Sequence, residues 1–243
     1  HEEILPKCQI AHTCFIRDIY TNTALQPEQI TDAMSLAGGE HTEDWQREYL
    51  CKIIRNRELT VLPEWDDELV QELVKPPWCI TNTIVDFGGV MDKTVALAVC
   101  YDFRNAKMLV LDERSFPPNT DTDTIVKECL QMEKQLDYQP ELRYIDAPGQ
   151  LLVDLIHTHQ FNCALPNKDD WQASINSLRI AIANKTILIH HTCELLIATC
   201  KYGRFNKTKK DFARSEALGH MDAVATLMYA NRMIDRYTNP YPA

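Results

Sequence analysis

Three strand-length runs follow one another in the middle of the chain, and they limit its possible folds more than any other feature. TNTIVDF (81–87), TVALAVCYDF (94–103) and KMLVLDERSF (107–116) are rich in β-formers, with only GGVMD and Arg104-Asn105-Ala106 as links. Strands joined so closely cannot cross over, so they form an antiparallel meander. DTDTIVKECLQMEKQL then reads as an amphipathic helix with Ile125, Cys129 and Met132 on one face. LRYIDAP is a buried strand, QLLVDLIHTH a helix and FNCALP a short strand. This alternation implies parallel additions to the sheet. WQASINSLRIAIAN is helical, TILIHH briefly extended and CELLIATCKYG helical again. A long helical pattern, EALGHMDAVATLMYANRMI, comes last.

The order β-β-β-α-β-α-β-α, with an acid on the helix after the last strand, is that of the ribonuclease H-like fold. The expected class is therefore α/β: a central mixed sheet of three antiparallel strands plus parallel additions, flanked by helices. Ahead of it, the first 75 residues read as acidic and helical. Pro27 opens PEQITDAMSLAGG, and Gly38-Gly39 stops that helix. Thr42 heads TEDWQREYLCKIIRN, with Trp45, Tyr49 and Ile53 at helical spacing, and DDELVQELV fits a further short helix. Lys75-Pro76-Pro77 cannot continue a helix. The expected organisation is a helical segment over 1–75 and an α/β domain over 76–243.

Charge locates a surface. The net −10 is concentrated in residues 1–75, with 15 acidic and 7 basic residues; the remainder holds 20 and 18. Lys201, Arg204, Lys207, Lys209, Lys210 and Arg214 make one basic stretch against Asp211 alone. Such a strip reads either as a phosphate-backbone contact or as a solvated loop. No apolar run spans a bilayer. Nine cysteines without a CxxC pair read as reduced thiols in a cytosolic setting. His190, His191 and Cys193, with Cys200 a helical distance away, are the densest candidate metal cluster. Their spacing fits no zinc pattern, so buried thiols and a strand-end histidine pair are the preferred reading.

Three aspartates carry the chemistry. Asp86 ends the first strand, Asp146 ends LRYI, and Asp222 lies inside the last helical pattern, with Leu218, Ala225 and Tyr229 on its face. Carboxylates converging from strand ends assemble an all-oxygen site for hard divalent cations. Two such ions, Mg²⁺ or Mn²⁺, make a phosphodiester-cleaving centre. An acid on a core-facing stripe is costly unless paired or metal-bound, which singles out Asp222. Its other readings are a helix cap or a pair with Arg179 or Lys201. Asp92 is taken as a hairpin-turn residue ahead of an auxiliary metal contact. His220 is taken as a surface histidine ahead of a group that positions water or phosphate.

VDFGGVMDKTVALAV, YIDAPGQ and GHMDAVATLMYA resemble the three acidic motifs in the nuclease domain of viral terminase large subunits, those of tailed phages and herpesviruses. FIRDIYTNTALQPEQI…WQREYLCKII resembles the phage stretch that joins the packaging ATPase to that nuclease. The resemblance implies that Asp86, Asp146 and Asp222 are metal-binding catalytic acids. It also implies a DNA endonuclease that cuts concatemeric double-stranded DNA during packaging, in the host cell cytoplasm, with the terminase small subunit and portal protein as partners. No GxxxxGK[ST] loop is present, so the chain is expected to be the C-terminal part of a longer protein and to lack ATPase activity. The competing readings share the fold. A Holliday-junction resolvase or transposase-like enzyme would use the same triad. An actin-like ATP-dependent phosphotransferase would use DFGGVMDKT as a phosphate loop, but needs a second such hairpin and a Gly-rich adenosine loop, and this chain, with 7 glycines, has neither. An inert DNA clamp would use the basic strip alone.

Overall fold

The computed structural model describes residues 8, 17–42, 45–51, 59–140, 142–215 and 218–241. Contacts divide the chain into two compact units, 1–60 and 61–243. The division falls before the Lys75-Pro76-Pro77 break because Val61, Leu62 and Leu69 are fully buried in the core of the second unit.

In the first unit, helix α1 spans Pro27–Leu36, with Pro at its start and the Gln26 amide donating to Gln29 Oε1 at 2.9 Å. It stops at Gly38 and Gly39, whose φ values of +85° and +115° suit a residue without Cβ. Of the helix expected after Thr42, the described part is a single π-helical turn, Trp45–Tyr49. Trp45 is fully buried and stacks on Tyr49 at 4.8 Å. Residues 43–44 and 52–56 of that expected helix lie outside the described residues.

The second unit is built on a sheet that, among the described residues, has seven strands. They are β1 (Val70–Gln71), β2 (Thr81–Asp86), β3 (Thr94–Asp102), β4 (Lys107–Phe116), β5 (Arg143–Asp146), β6 (Cys163–Ala164) and β7 (Ile187–His190). Their spatial order is β1-β7-β4-β3-β2-β5-β6. β2, β3 and β4 form the expected antiparallel meander; β5, β6, β7 and β1 add in parallel. Helices α2 (Thr122–Gln135), α3 (Gly149–His157), α4 (Trp171–Ala183), α5 (Glu194–Tyr202) and α6 (Asp222–Met233) cover it.

The alternation of β3 explains the layering. Val95, Leu97 and Val99 face the larger core with α4, α5 and α6, while Ala96 and Ala98 face the smaller core with Ile125, Cys129 and Met132 of α2 and Leu155 of α3. The small side chains on that second face let α2 approach the sheet closely. Between β5 and α2, Arg143 pairs with Glu133 through Nη2–Oε2 at 2.5 Å and Nε–Oε1 at 2.7 Å, and both residues are buried. The Thr83 hydroxyl of β2 donates to the same Glu133 carboxylate at 2.7 Å. The pair thereby ties β2 and β5 to α2, which fixes the two strands that end at the site.

Two expectations need correction. DDELVQELV is not a helix: a 3₁₀ turn at Asp67–Leu69 leads into β1, which pairs with β7. Burial of Leu69 and the edge that β7 offers outweigh local helix propensity. Asp222 is the first residue of α6 rather than an interior one. Leu218 precedes the helix, in a turn closed by reciprocal Ser215–Gly219 amide–carbonyl bonds, with Gly219 at φ +72°.

Candidate metal centre

Asp86 and Asp146 are the last residues of neighbouring parallel strands and stand opposite one another in register. The ladder continues one bond further, from the Phe87 amide to the Asp146 carbonyl at 2.9 Å, so the two carboxylates leave the sheet together. The Gly88 turn then folds back on itself. A Cβ on Gly88 would lie 2.2 Å from the Lys93 carbonyl oxygen, which is why only glycine fits there. The Asp92 amide donates to the Gly88 carbonyl at 3.2 Å, bringing Asp92 to the same rim.

α6 packs across β2 and β3 and delivers Asp222 from its N-terminus. The three aspartates line one cavity of about 240 Å³ together with Asp92, Phe212, Trp171, His220 and Tyr229. Asp222 is 6% exposed, and its Oδ2 is buried without a hydrogen-bond partner. A buried carboxylate oxygen left unpaired is expensive in any protein. The alternative partners for Asp222 are engaged elsewhere: Arg179 binds Glu64 at 2.5 Å and Lys201 binds Asp67 at 2.6 Å.

Like charges accumulate in this cavity. Burial, reinforced by Asp146 and Asp222, holds the Asp86 carboxyl well above the usual carboxylate range. Burial and the neighbouring Asp92 push Asp222 up to about 6, against the opposing pull of His220. Carboxylates that resist ionisation next to one another need a cation to be charged together. One oxygen of Asp222, one of Asp92 and a ring nitrogen of His220 lie within 4.8 Å of each other, close enough to share an ion. This donor set of carboxylates in an acidic pocket suits a hard divalent metal.

Two residues in the site are not among the site residues expected from the sequence. Lys168, in the loop before α4, forms an ion pair with Asp146 Oδ1. The Tyr229 hydroxyl, two turns along α6 from Asp222, donates to Asp146 Oδ2 at 2.8 Å. Tyr229 is legible only as a member of the Asp222 helix face; Lys168 sits in NKDD, a polar loop like any other. Asp92 is held by Arg214, whose Nη2 lies 3.1 Å from Oδ2.

The basic stretch divides. Lys207, Lys209 and Lys210 are exposed on a turn between Phe205 and Phe212, which form an antiparallel bridge. Trp171 packs on both phenylalanines, at 5.8 and 5.5 Å, so this turn is anchored beside the acidic cavity. Arg204 is half-buried at its base, and Lys201 is turned toward Asp67 near β1. Of the cluster weighed for zinc, Cys193 and Cys200 are buried thiols in the core, whereas His190 and His191 face Glu72. Among the described residues, no helix is long and apolar enough to cross a membrane.

No family model and no curated protein sequence matches the chain. Solved structures do. The large terminase of a thermophilic bacteriophage, in complex with ADP, superposes with a TM-score of 0.59 at 12% identity, over 89% of this chain and 54% of that one. The magnesium-bound large terminase nuclease of the thermophilic phage G20c matches at 0.54 and 15%, over 73% of this chain and 98% of the other. The P22 large terminase nuclease domain matches at 0.54 and 12%, over 72% and 91%. The chain thus spans about half the length of the ADP-bound terminase and nearly the whole of the isolated nuclease. Its α/β architecture, a mixed sheet between helices, is the fold of terminase large-subunit nuclease domains.

Proposed function

We propose that this chain is a metal-dependent DNA endonuclease of a viral packaging terminase, with Asp86, Asp146 and Asp222 as its metal-binding catalytic acids. The observation that carries the reading is the buried, unpartnered Oδ2 of Asp222 in a cavity shared with Asp86 and Asp146. A divalent cation would satisfy that oxygen and offset the burial and neighbouring negative charge that raise Asp86 and Asp222. Asp86, on the strand that pairs with the Asp146 strand and packs under the helix carrying Asp222, would serve both of two Mg²⁺ or Mn²⁺ ions, with Asp146 and Asp222 each holding one. When bound, such a pair supplies nucleophile activation and charge stabilisation for phosphodiester hydrolysis.

The chain's own residues prepare the site. Tyr229 and Lys168 hold the two oxygens of Asp146 from different directions and so set its orientation. Lys168 also brings a positive charge to a site that must admit a phosphate. Arg214 binds Asp92 and keeps its carboxylate at the rim. Trp171 and Phe212 line the cavity wall. The exposed Lys207, Lys209 and Lys210, with Arg204 at the base of their turn, would follow the DNA backbone, giving binding that depends on salt more than on sequence, whereas Lys201 is committed to Asp67.

The G20c nuclease carries magnesium in one structure and cobalt in another, which supports divalent-ion binding here by analogy of fold. By the same analogy, residues 1–75 include the stretch that follows a packaging ATPase. The substrate is then concatemeric double-stranded DNA in the host cytoplasm, and the terminase small subunit and portal are the partners. Plasmid digestion with Mg²⁺, Mn²⁺ or chelator tests the reading. The wild-type chain cuts with either ion, and Asp86→Ala, Asp146→Ala and Asp222→Ala do not. Cutting by Asp222→Ala at the wild-type rate removes that residue from the site.

A further inference from the structure

A second cluster of metal-ligating side chains lies at the edge of the sheet, apart from the acidic cavity. β1 and β7 run parallel, with Gln71 opposite His190, and the His191 amide donates to the Gln71 carbonyl at 3.1 Å. The residue that follows β1, Glu72, therefore lies at the end of β7. Its Oε1 lies 3.2 Å from His190 Nε2 and its Oε2 lies 3.0 Å from His191 Nδ1. The two imidazoles sit 4.4 Å apart, centroid to centroid.

The second nitrogen of His190 is also engaged. Its Nδ1 lies 2.7 Å from the Thr192 hydroxyl. The Thr192 amide donates to the same Nδ1 at 3.3 Å, so in the metal-free protein the Nε2 proton faces Glu72; a metal on Nε2 would move that proton to Nδ1, where the Thr192 hydroxyl can accept it. A tetrahedral ion with bonds of about 2.0–2.1 Å separates its ligand atoms by roughly 3.3 Å. The 3.0 and 3.2 Å contacts are close to that edge length. Without a cation, the same contacts require a proton on each imidazole nitrogen that faces the carboxylate.

We propose that Glu72, His190 and His191 form a site for a transition-metal ion of the zinc class, which staples the two-residue strand β1 to β7. Two imidazoles and one carboxylate leave a fourth position open to water, since Glu72 and His191 are exposed. Nitrogen ligands favour zinc, cobalt or nickel over the magnesium suited to the aspartate cavity. The site ties the segment that opens the second unit to the strand β7, so the ion would stabilise the sheet edge. This inference does not depend on the nuclease reading.

The test uses the full chain carrying Asp86→Asn and Asp222→Asn, which silences the acidic cavity. After chelator treatment, Zn²⁺ is titrated by calorimetry in excess Mg²⁺, and Co²⁺ binding is followed by its visible absorption. One equivalent of Zn²⁺ is expected, with histidine-type Co²⁺ absorption. Adding His191→Ala or Glu72→Gln is expected to weaken binding by at least about tenfold, the lower end of what support for a metal site is worth. Circular dichroism in chelator verifies that both variants are folded. Zn²⁺ binding of unchanged affinity in the folded variants, or none in their parent, overturns the proposal.

Discussion

Replacing Asp222 with asparagine should stabilise the metal-free protein while weakening its response to metal. The Asp222 carboxyl is displaced from 3.8 to about 6 by burial and by Asp92. At about 1.4 kcal/mol per pKa unit, that is an ionisation penalty of about 3 kcal/mol. The cavity admits solvent on one side, and screening reduces the recoverable part to roughly 1–2 kcal/mol. The sign follows from linkage. The folded pKa is raised, so the stability tied to the neutral carboxyl is complete below about pH 4 and is lost as pH rises through about 6. Asparagine is neutral throughout and still offers an oxygen to the Lys93 amide. For a chain of this size, 1–2 kcal/mol corresponds to about 2–8 °C in Tm. The assay is thermal melting of wild type and Asp222→Asn in chelator at pH 4.5 and 8, then at pH 8 with Mg²⁺. The variant should melt higher than wild type at pH 8 in chelator, the gap should shrink to about a third at pH 4.5, and Mg²⁺ should raise wild type more than the variant. A variant that melts lower than wild type in chelator at pH 8 refutes the electrostatic argument. So does a variant that Mg²⁺ stabilises as much as wild type.

Gly88→Ala should cost about 1–3 kcal/mol and impair plasmid cleavage, because the added methyl meets the Lys93 carbonyl at 2.2 Å; a melt and a digestion read both effects. Glu133→Gln should destabilise by about 3–5 kcal/mol in urea titration, since Arg143 is left charged and buried. Lys207→Glu combined with Lys210→Glu should weaken duplex binding in chelator, measured by anisotropy. The slope of log affinity against log salt should become shallower by about 2 if each lysine meets one phosphate.

Much of the fold is legible in the chain because its two periods are clean. The meander follows from three β-rich runs with links too short to cross over, and the parallel addition of β5 beside β2 then brings Asp86 and Asp146 side by side. The α2 face of Ile125, Cys129 and Met132 is buried as its spacing requires. Illegible are the elements whose conformation is set by partners distant in sequence. Val70 and Gln71 are extended only because β7 offers an edge more than a hundred residues later. α6 starts at Asp222 because Gly219 and Ser215 close a turn before it, a local stop masked by the apolar residues on either side. Lys168 reaches Asp146 through loop geometry that has no periodic signature. Asp92 reads as a turn former, and it is one, with its amide on the Gly88 carbonyl. The same turn also places its carboxylate beside Asp222.

The central claim is that three aspartates, far apart in the chain, share a pair of ions. Anomalous diffraction from crystals soaked in Mn²⁺ tests this most directly. The account predicts two manganese peaks in the cavity, one bonded to Asp86 and Asp146 and the other to Asp86 and Asp222. Peaks that involve neither Asp86 nor Asp222, or an empty cavity at saturating Mn²⁺, would contradict it.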